Sequence, residues 1–548
     1  MDEAGPRLRQ HAETQHPRRR ASHRRPRSPR DGLLLAQGPK QVPTPRHHGA
    51  RERTRSAASG TRTGELMRPH PWLRTSVWSL LLSSLLLGAC SSPSPRSKGG
   101  KESKPDIILY SEADDQRAGE EAAKEIPMAI GVVNDPALKR YVERVGQRVA
   151  HQAPRTSFTY SFQVVDQDAP NAFALPGGFI FVSRGLLILS NSEDELANVL
   201  GHEIVHVARR HASARQSMMN SLPKYLRWAA VGQVTAYGRD QERESDRLGQ
   251  GLAAVAGYDP VGMANFLREL EFSERLQLGF SRHQGYMDTH PATSERVARA
   301  GARARTIRWT PRAPIAASHA AYLSQLDGLV VGIGAAEGVF QRDRFLQADM
   351  GFSVRFPDGW DVINTRAAVG AVSPDRKSQV VLETQGQGTD PRKSAQEYLD
   401  EAQTQGLRVE SAQDIVLGDV PAYRVEGRAR SPAGPVGVHF TWFARDGVML
   451  RLTGFSVGLG SRGAIFVNVA RSFRTITPRE RASIRETRLR IVPARGGESL
   501  TQLSKRTGNA WDIQQTAVTN GIFADATLDE GQLIKIAVSR PYRNTPAR

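Results

Sequence analysis

The spacing of apolar residues changes along the chain and divides it into regions. Between about residues 106 and 312, apolar positions recur at helical intervals, as in GEEAAKEIPMAIG and ALKRYVERVGQRVAHQA. Within the same region, TYSFQVVD and GGFIFVS have the composition and alternation of strands. This pattern predicts a mainly helical domain with a small sheet.

Beyond a bridging segment at 313–345, the pattern becomes one of alternation. Stretches such as GFSVRF, SQVVLET, AYRVEG, VHFTWFA and MLRLTGF predict an antiparallel sheet over 346–477, with a helix near SAQEYLDEAQTQ. A charged linker at 478–487 precedes a last small unit at 488–538, and 539–548 form a tail. The predicted fold is multidomain: a mainly α domain with a small sheet, then an α/β domain, then a small α+β module.

An apolar run at 77–87 follows two arginines and ends in small residues directly before Cys90, the only cysteine. The run is shorter than the roughly 20 residues that a membrane-spanning helix needs, and the arrangement is that of a signal peptide. The stretch Leu87-Gly88-Ala89-Cys90 resembles a bacterial lipobox, which implies a signal peptide at 67–89, acylation of Cys90 and a flexible tether at 90–105. A buried apolar helix with an unrelated thiol is the alternative.

The formal charge of +19 is concentrated near the N-terminus, where residues 1–66 hold 15 Lys or Arg against 6 Asp or Glu. This stretch is rich in Pro, Ser, Gly and His and lacks apolar periodicity, so it cannot bury enough surface to offset its chain entropy. It is predicted to be disordered, or untranslated if Met67 is the start. A nucleic-acid-binding arm is the alternative, but it lacks interleaved aromatic residues and an adjoining fold, so no nucleic-acid partner is predicted.

The segment NSEDELANVLGHEIVHVARRH combines a helix start with metal-binding spacing. Ser192 and Glu195 are spaced as a capping box, and an apolar stripe follows. His202 and His206 lie four residues apart on one helical face, so both imidazoles can reach one Zn²⁺. Glu203, beside them, can accept a proton from a metal-bound water and deliver it to a leaving amine. Because H-E-x-x-H also occurs by chance in unrelated helices, a third ligand is required.

The segment YGRDQERESDRLGQGLAAVAGYDP predicts a second helix that carries candidates for this ligand. Glu242 and Asp246 lie one turn apart, so one carboxylate can ligate zinc while the other accepts the distal N–H of a ligating histidine. Glu244 is the rival ligand but points about 200° around the helix from Glu242, which is therefore preferred. A solvated charged face is the alternative for the whole segment. His211 lies about 140° from the direction of His206 and is a poor candidate ligand.

These residues resemble the zinc metallopeptidases that include the CAAX prenyl proteases, HtpX and the beta-barrel assembly-enhancing protease. The resemblance covers about 112–302 and includes HEIVH, E-x-x-x-D and the stretch NAFALPGG followed by a strand. In the family that strand borders the cleft and pairs with an extended substrate, and an ordinary turn is the alternative for NAFALPGG. The resemblance assigns substrate binding to Asn171, Phe173, Leu175, Pro176, Gly177 and Gly178.

A second stretch, THPATSER at 289–296, also resembles a family motif, whose histidine can approach the metal and whose arginine lies near the reacting carbonyl. The resemblance implies that His290 regulates or polarises the site and that Arg296 steadies it. A helix-capping role is the alternative. The sequence departs from the family at Ser245, where Ala is usual, and the added hydroxyl is expected next to Asp246.

The two C-terminal regions resemble binding or scaffold domains. Region 346–477 resembles PsbP-type α/β domains in its opening GFSVRFPDGW and has no paired carboxylates or metal spacing, so a scaffold or partner-binding role is predicted. Region 488–538 resembles a LysM module in its Gly-Glu-Ser-Leu opening and its Asn520-Gly521 turn. That resemblance implies attachment to peptidoglycan, with a βααβ capping domain that binds no ligand as the alternative.

The sequence therefore predicts a zinc-dependent endopeptidase with one zinc per chain and Glu203 as its base. Acylated Cys90 would anchor it in the bacterial envelope, where the expected substrates are unfolded, misassembled or stalled envelope polypeptides. Ser91, after the anchor, weakly favours the periplasmic face of the outer membrane.

The main rival is a non-proteolytic lipoprotein that acts as a chaperone or tethers the membrane to peptidoglycan, with a ligating His290 holding the zinc site latent. A prenyl protease is disfavoured because the mature chain has no run of 18 or more apolar residues to form an intramembrane chamber.

Overall fold

The computed structural model describes residues 110–154, 158–214, 217, 231–277, 290, 294–366, 368–404, 406–431, 434–458 and 463–543. The predicted signal peptide, the tether, Cys90 and the Arg-rich stretch lie outside the described residues, as do residues 289 and 291–293 of the THPATSER motif. Within the described ranges, none of the helices combines the length and apolar composition that a bilayer crossing requires.

The first domain, called here the helical domain, surrounds a three-stranded sheet of order β1-β3-β2. Strand β1 pairs with β3 in parallel and β2 pairs with β3 antiparallel, which leaves β2 at the sheet edge. Fully buried side chains such as Val142, Phe162 and Leu200 form the core between helices and sheet. The elements are α1 (Glu112–Ala129), α2 (Pro136–Ala150), β1 (Ser161–Val165), β2 (Ala172–Leu175), β3 (Phe179–Ser183), α3 (Arg184–Leu189), α4 (Glu193–Ala208), α5 (Val231–Val255), α6 (Val261–Gln277) and α7 (Ser294–Ala304).

The bridging segment packs against this domain. Tyr322, Leu323 and Leu326 of its helix are buried in the core of the helical domain, and the Tyr322 ring lies 6.2 Å from that of Tyr141. Buried Arg184 donates hydrogen bonds to the carbonyl oxygens of residues 330 and 332. The segment contains α8 (His319–Leu326) and β4 (Val330–Val331).

The β-rich domain contains a seven-stranded antiparallel sheet of order β11-β12-β13-β14-β10-β9-β8 and a four-stranded sheet of order β15-β7-β6-β5. Trp442 points to the side of the larger sheet that the helix Pro391–Thr404 covers, whereas Phe443 points to the side covered by the helix Gly463–Arg471 and the smaller sheet, as strand alternation requires. The elements are β5 (Val339–Gln341), β6 (Arg344–Gln347), β7 (Phe352–Arg355), β8 (Asp361–Asn364), β9 (Ala368–Val372), β10 (Ser378–Gln387), α9 (Pro391–Thr404), β11 (Arg408–Leu417), β12 (Val420–Ser431), β13 (Gly434–Arg445), β14 (Val448–Val457), α10 (Gly463–Arg471) and β15 (Arg474–Thr475).

The last unit, called here the C-terminal module, places two helices between two long antiparallel strands, and β4 extends this sheet. The predicted linker contains a helix, because Thr477 and Glu480 form a capping box around Pro478. The elements are α11 (Pro478–Ser483), β16 (Arg485–Pro493), β17 (Glu498–Ser499), α12 (Leu500–Thr507), α13 (Ile513–Thr519), β18 (Thr527–Leu528) and β19 (Leu533–Pro541). The predicted multidomain order, helical and then β-rich, is confirmed.

The C-terminal module contacts the helical domain through a buried lysine. The Lys535 ammonium on β19 donates hydrogen bonds to the carbonyl oxygens of Ile188, Leu189 and Ser190 at 2.7, 3.3 and 3.0 Å. These carbonyls lie at the end of α3, directly before α4. The module is therefore bonded to the segment from which α4 starts.

Candidate metal centre

Four buried side chains from three separate parts of the chain converge on one point. His202 and His206 come from α4, Glu242 from α5, and His290 from the segment before α7; one nitrogen or oxygen of each lies within 4.8 Å of all the others. The Nε2 atoms of His202 and His206 are 3.0 Å apart, and Nδ1 of His290 lies 2.9 Å from both carboxylate oxygens of Glu242. Three imidazole nitrogens and one carboxylate form a donor set that suits Zn²⁺.

The Ser192 side chain caps the start of α4, the helix that carries both histidines. The Ser192 hydroxyl accepts a hydrogen bond from the Glu195 backbone N–H at 3.1 Å, as the sequence predicts. The Glu195 carboxylate accepts from the Asn191 N–H instead of returning to Ser192, so the predicted capping box is formed only in part.

A close contact between two glycines brings α5 against α4 next to His202. A Cβ atom on Gly201 would lie 2.6 Å from the carbonyl oxygen of Gly249, and one on Gly249 would lie 2.5 Å from the backbone nitrogen of His202. Only glycine at both positions permits this approach. The crossing places Glu242 of α5 within reach of both histidines of α4.

Asp246 connects His202 to Arg296. Its Oδ1 lies 3.0 Å from Nδ1 of His202, on the side of the ring away from the cluster. Arg296 donates to both oxygens of Asp246, at 2.8 and 2.7 Å, and to the carbonyl oxygen of His290 at 3.0 Å. Arg296 therefore holds the carboxylate and the backbone of the cluster in place.

Glu203 lies beside the cluster, but its carboxylate is not part of the cluster's hydrogen bonds. Its side chain is buried, and neither carboxylate oxygen has a hydrogen-bond partner among the described residues. Nε2 of His290 lies 3.7 Å from Oε1 of Glu203. Burial raises the pKa of Glu203, as expected for a carboxylate removed from water.

The electrostatics of the other residues favour a bound cation. Burial acts to raise the pKa of Glu242, but the charge of His290 and the hydrogen bonds of the histidines hold it well below its usual value. Burial lowers the pKa of His206 far enough to keep that imidazole neutral. Burial also acts to lower the pKa of His202, but contacts with Asp246 and Glu242 outweigh it and raise that pKa to about 9. A metal ion would therefore displace a proton from His202.

Glu244 and His211 lie outside the four-residue cluster but close to it. Nδ1 of His211 lies 3.0 Å from Nδ1 of His206, and Nε2 of His211 lies 3.5 Å from Glu244. The Ser245 hydroxyl lies 3.4 Å from Nδ1 of His211, whereas the sequence suggested that it would lie next to Asp246. The sequence identified His211 only as a poor candidate ligand. Its contact with His206, five residues earlier, was not predicted.

The NAFALPGG stretch forms edge strand β2 and the turn that follows. Phe173 stacks on Phe181 of β3, with ring centroids 5.1 Å apart. Gly177 and Gly178 have φ values of 81° and 104°, and a Cβ on either would lie under 3 Å from the backbone of Gln116 or Thr159. The turn between β2 and β3 therefore requires glycine at both positions, whether or not they contact a substrate.

The comparisons with known proteins match this part of the chain. Residues 136–236 and 224–304 match the model of Peptidase family M48. A beta-barrel assembly-enhancing protease of Escherichia coli (strain K12) is 28% identical over 221 residues, which are 35% of this chain and 44% of the relative. The mitochondrial metalloendopeptidase OMA1 of Schizosaccharomyces pombe is 26% identical over 219 residues, 37% of this chain and 62% of the relative. The chain spans about half the length of the curated relatives it matches.

Among solved structures, cyanobacterial PsbP from Synechocystis is similar to 26% of this chain over 99% of its own length, with 14% identity and a TM-score of 0.21. Metallopeptidases of family M48 use zinc, and the cluster of His202, His206, Glu242 and His290 could hold one metal ion. All four of these residues lie inside the region that matches the family. The chain therefore carries a Peptidase family M48 domain over residues 136–304.

Proposed function

We propose that this protein is a zinc-dependent endopeptidase in which His202, His206 and Glu242 hold the metal and Glu203 is the general base. The observation that carries the proposal is the convergence of these three side chains next to a buried carboxylate that has no hydrogen-bond partner among the described residues. A structural ion-pair network would leave no such carboxylate, because an unpartnered buried carboxylate costs stability.

The roles of the residues follow from this arrangement. Zinc, when bound, supplies Lewis-acid chemistry: it polarises a peptide carbonyl and lowers the pKa of water to about 7. Glu203 accepts a proton from the attacking water and delivers it to the leaving amine, a role that suits a carboxylate with a raised pKa. Asp246 orients His202, and Arg296 holds Asp246.

An extended polypeptide is the proposed form of the substrate. Among the described residues, strand β2 pairs on one side only, so its other edge can accept hydrogen bonds from, and donate them to, an added strand. Recognition through the backbone tolerates many side chains, which suits a protease acting on unfolded or misassembled proteins. The residues proposed to line this edge are those of the NAFALPGG stretch, Asn171, Phe173, Leu175, Pro176, Gly177 and Gly178.

His290 is proposed to regulate the site. Its Nδ1 lies 3.3 Å from Nε2 of His202, close enough for the ring to become a fourth ligand of the same metal. A fourth protein ligand occupies the position that catalysis requires to be open. This geometry also supports the second candidate function, a chaperone-like protein in which the site stays latent.

The remaining assignments are proposed on sequence resemblance. Acylated Cys90 would anchor the protein in a bacterial envelope, with the outer membrane favoured. Region 346–477 would be a PsbP-like scaffold, and the module at 488–538 would be LysM-like and bind peptidoglycan.

The test is cleavage of casein by the purified full-length chain, with zinc content measured alongside and Glu203→Gln and His290→Ala as variants. One zinc per chain, with cleavage lost in Glu203→Gln and metal retained, supports the peptidase and its base. Higher activity in His290→Ala supports the proposal that His290 regulates the site. Zinc without cleavage in both the parent and His290→Ala favours the chaperone function, and absence of zinc overturns the site.

A further inference from the structure

His206 has a buried partner on the side of its ring away from the cluster. Nε2 of His206 faces the cluster, 3.0 Å from Nε2 of His202 and 3.3 Å from Oε1 of Glu242. Nδ1 of His206 faces Nδ1 of His211 at 3.0 Å. His211 is fully buried at the end of the turn that follows α4. The contact therefore joins a candidate ligand to a histidine that does not reach the metal position.

The direction of the proton in this contact follows from elementary imidazole chemistry. A neutral imidazole that binds a metal through Nε2 carries its hydrogen on Nδ1. Nδ1 of His206 must then donate, and Nδ1 of His211 must accept. A neutral His211 that accepts at Nδ1 carries its own hydrogen on Nε2, the atom that lies 3.5 Å from the Glu244 carboxylate.

Glu244, the last residue in this series of contacts, is itself in contact with a further residue. The Glu244 carboxylate also forms an ion pair with Arg209, whose Nε lies 3.2 Å from its Oε1. Ser245, the residue next to Glu244, places its hydroxyl 3.4 Å from Nδ1 of His211. Helix α5 thus supplies Glu242 to the metal position, Asp246 to His202 and Glu244 to His211.

We propose that His211 and Glu244 are positioning residues that fix the metal-binding tautomer and ring orientation of His206, as Asp246 does for His202. This inference deepens the proposed function and rests on its metal site. Outer partners of metal-binding histidines orient the ring and raise its basicity, and their loss typically weakens metal affinity about 10–100-fold. Each of the two histidines of the H-E-x-x-H motif would then have an orienting partner of its own.

The test is the zinc dissociation constant of the full-length chain, measured by competition with a chromogenic chelator. In His211→Leu the side chain fills a similar volume but accepts no hydrogen bond. In His211→Asn the amide oxygen can take the position of Nδ1 and accept from His206. Glu244→Gln removes only the charge at a partly exposed position, and Asp240→Asn, an exposed carboxylate on the same helix, is the matched control.

The expected result is zinc affinity about 10–100-fold weaker in His211→Leu, largely restored in His211→Asn, weaker in Glu244→Gln and unchanged in Asp240→Asn. The absorption bands of the cobalt-loaded protein should shift in His211→Leu and not in Asp240→Asn. A folded His211→Leu variant that binds zinc as tightly as the parent overturns the proposal. Equal weakening of zinc binding in His211→Leu and His211→Asn also overturns it, because it would show that His211 acts through packing alone.

If His211→Leu does not fold, Glu244→Gln decides, and parent-like affinity there overturns the proposal. A parent chain that binds zinc but cleaves nothing overturns the peptidase and leaves this inference to be judged by affinity. A parent chain that binds no zinc overturns both.

Discussion

The Oδ1 atom of Asp246 lies 3.0 Å from Nδ1 of His202, and the same carboxylate accepts two hydrogen bonds from Arg296. The three side chains are buried. The pKa of Asp246 is held well below its usual range, because the Arg296 charge and its hydrogen bonds outweigh burial. An ionised Asp246 is the form that accepts the distal N–H of His202 and fixes the ring that faces the metal position.

Asp246→Asn is expected to weaken zinc binding about 10–100-fold, because an amide neither carries the charge that orients His202 nor pairs with Arg296. Chelator competition measures the change, with kcat/KM as a second readout. Asp240→Asn, on the same helix but exposed, should behave as the parent does. Unchanged zinc affinity in Asp246→Asn would remove Asp246 from the site.

Gly201→Ala is expected to lower the free energy of unfolding by about 1–3 kcal/mol, because the new methyl would overlap the Gly249 carbonyl where α4 and α5 cross. It should also weaken zinc binding, since His202 and Glu242 would move apart. Gly251→Ala is the matched control on α5: nothing lies within 4 Å of its Cβ position, and Ala there should stabilise the helix by about 0.5–1 kcal/mol. Denaturant unfolding of both variants checks the prediction, which equal effects would contradict.

Lys535→Met is expected to destabilise the protein by about 1–3 kcal/mol, because it leaves three buried carbonyl oxygens without their hydrogen-bond donor. Lys505→Met, on an exposed position of α12 in the same module, is the control. Thermal or denaturant unfolding provides the measurement. A loss no larger than that of the control would show that the buried ammonium does not hold the module to the helical domain.

The same variant should change how stability depends on pH. Burial and the nearby Glu269 carboxylate raise the pKa of Glu195, so the folded state binds more protons than the unfolded state above pH 4.5. Stability therefore falls as pH rises toward the folded pKa. Burial also lowers the pKa of Lys535 to about 7, so the folded parent, unlike Lys535→Met, releases a proton from this side chain above pH 7 and gains stability there. The deficit of Lys535→Met relative to the parent should therefore be larger at about pH 8 than at about pH 5. An equal deficit at both pH values would contradict this coupling.

Ala174→Pro tests the open edge of β2. Asn171 accepts from the Ser183 N–H, so alternation along the strand directs the backbone of Ala172 and Ala174 to the unpaired side. Proline removes one N–H there, and KM for casein should rise while zinc content stays at the parent level. Ala174→Val, which keeps the N–H, is the control. If proline and valine affect KM equally, backbone pairing with the substrate is not supported.

The sequence predicted the elements of the site better than their contacts. The Ser192 cap and the helical spacing of His202 and His206 are local properties, and both are present in the structure. The choice of Glu242 over Glu244 used only the rotation per residue along one helix, and the structure places Glu242 in the cluster. The helix α10, by contrast, was missed, because its short apolar sequence has no periodicity that separates it from a strand.

What the sequence determined by itself is whatever depends on residues a few positions apart: the direction of each side chain on its helix or strand, the caps and the turns. What only the tertiary structure decided is which faces meet. Three contacts join positions on different elements: His290 with Glu242, His211 with His206, and Lys535 with the carbonyl oxygens at the end of α3. Such contacts depend on how all the helices and sheets pack at once, including close approaches such as that of Gly201 and Gly249, and no local spacing encodes them.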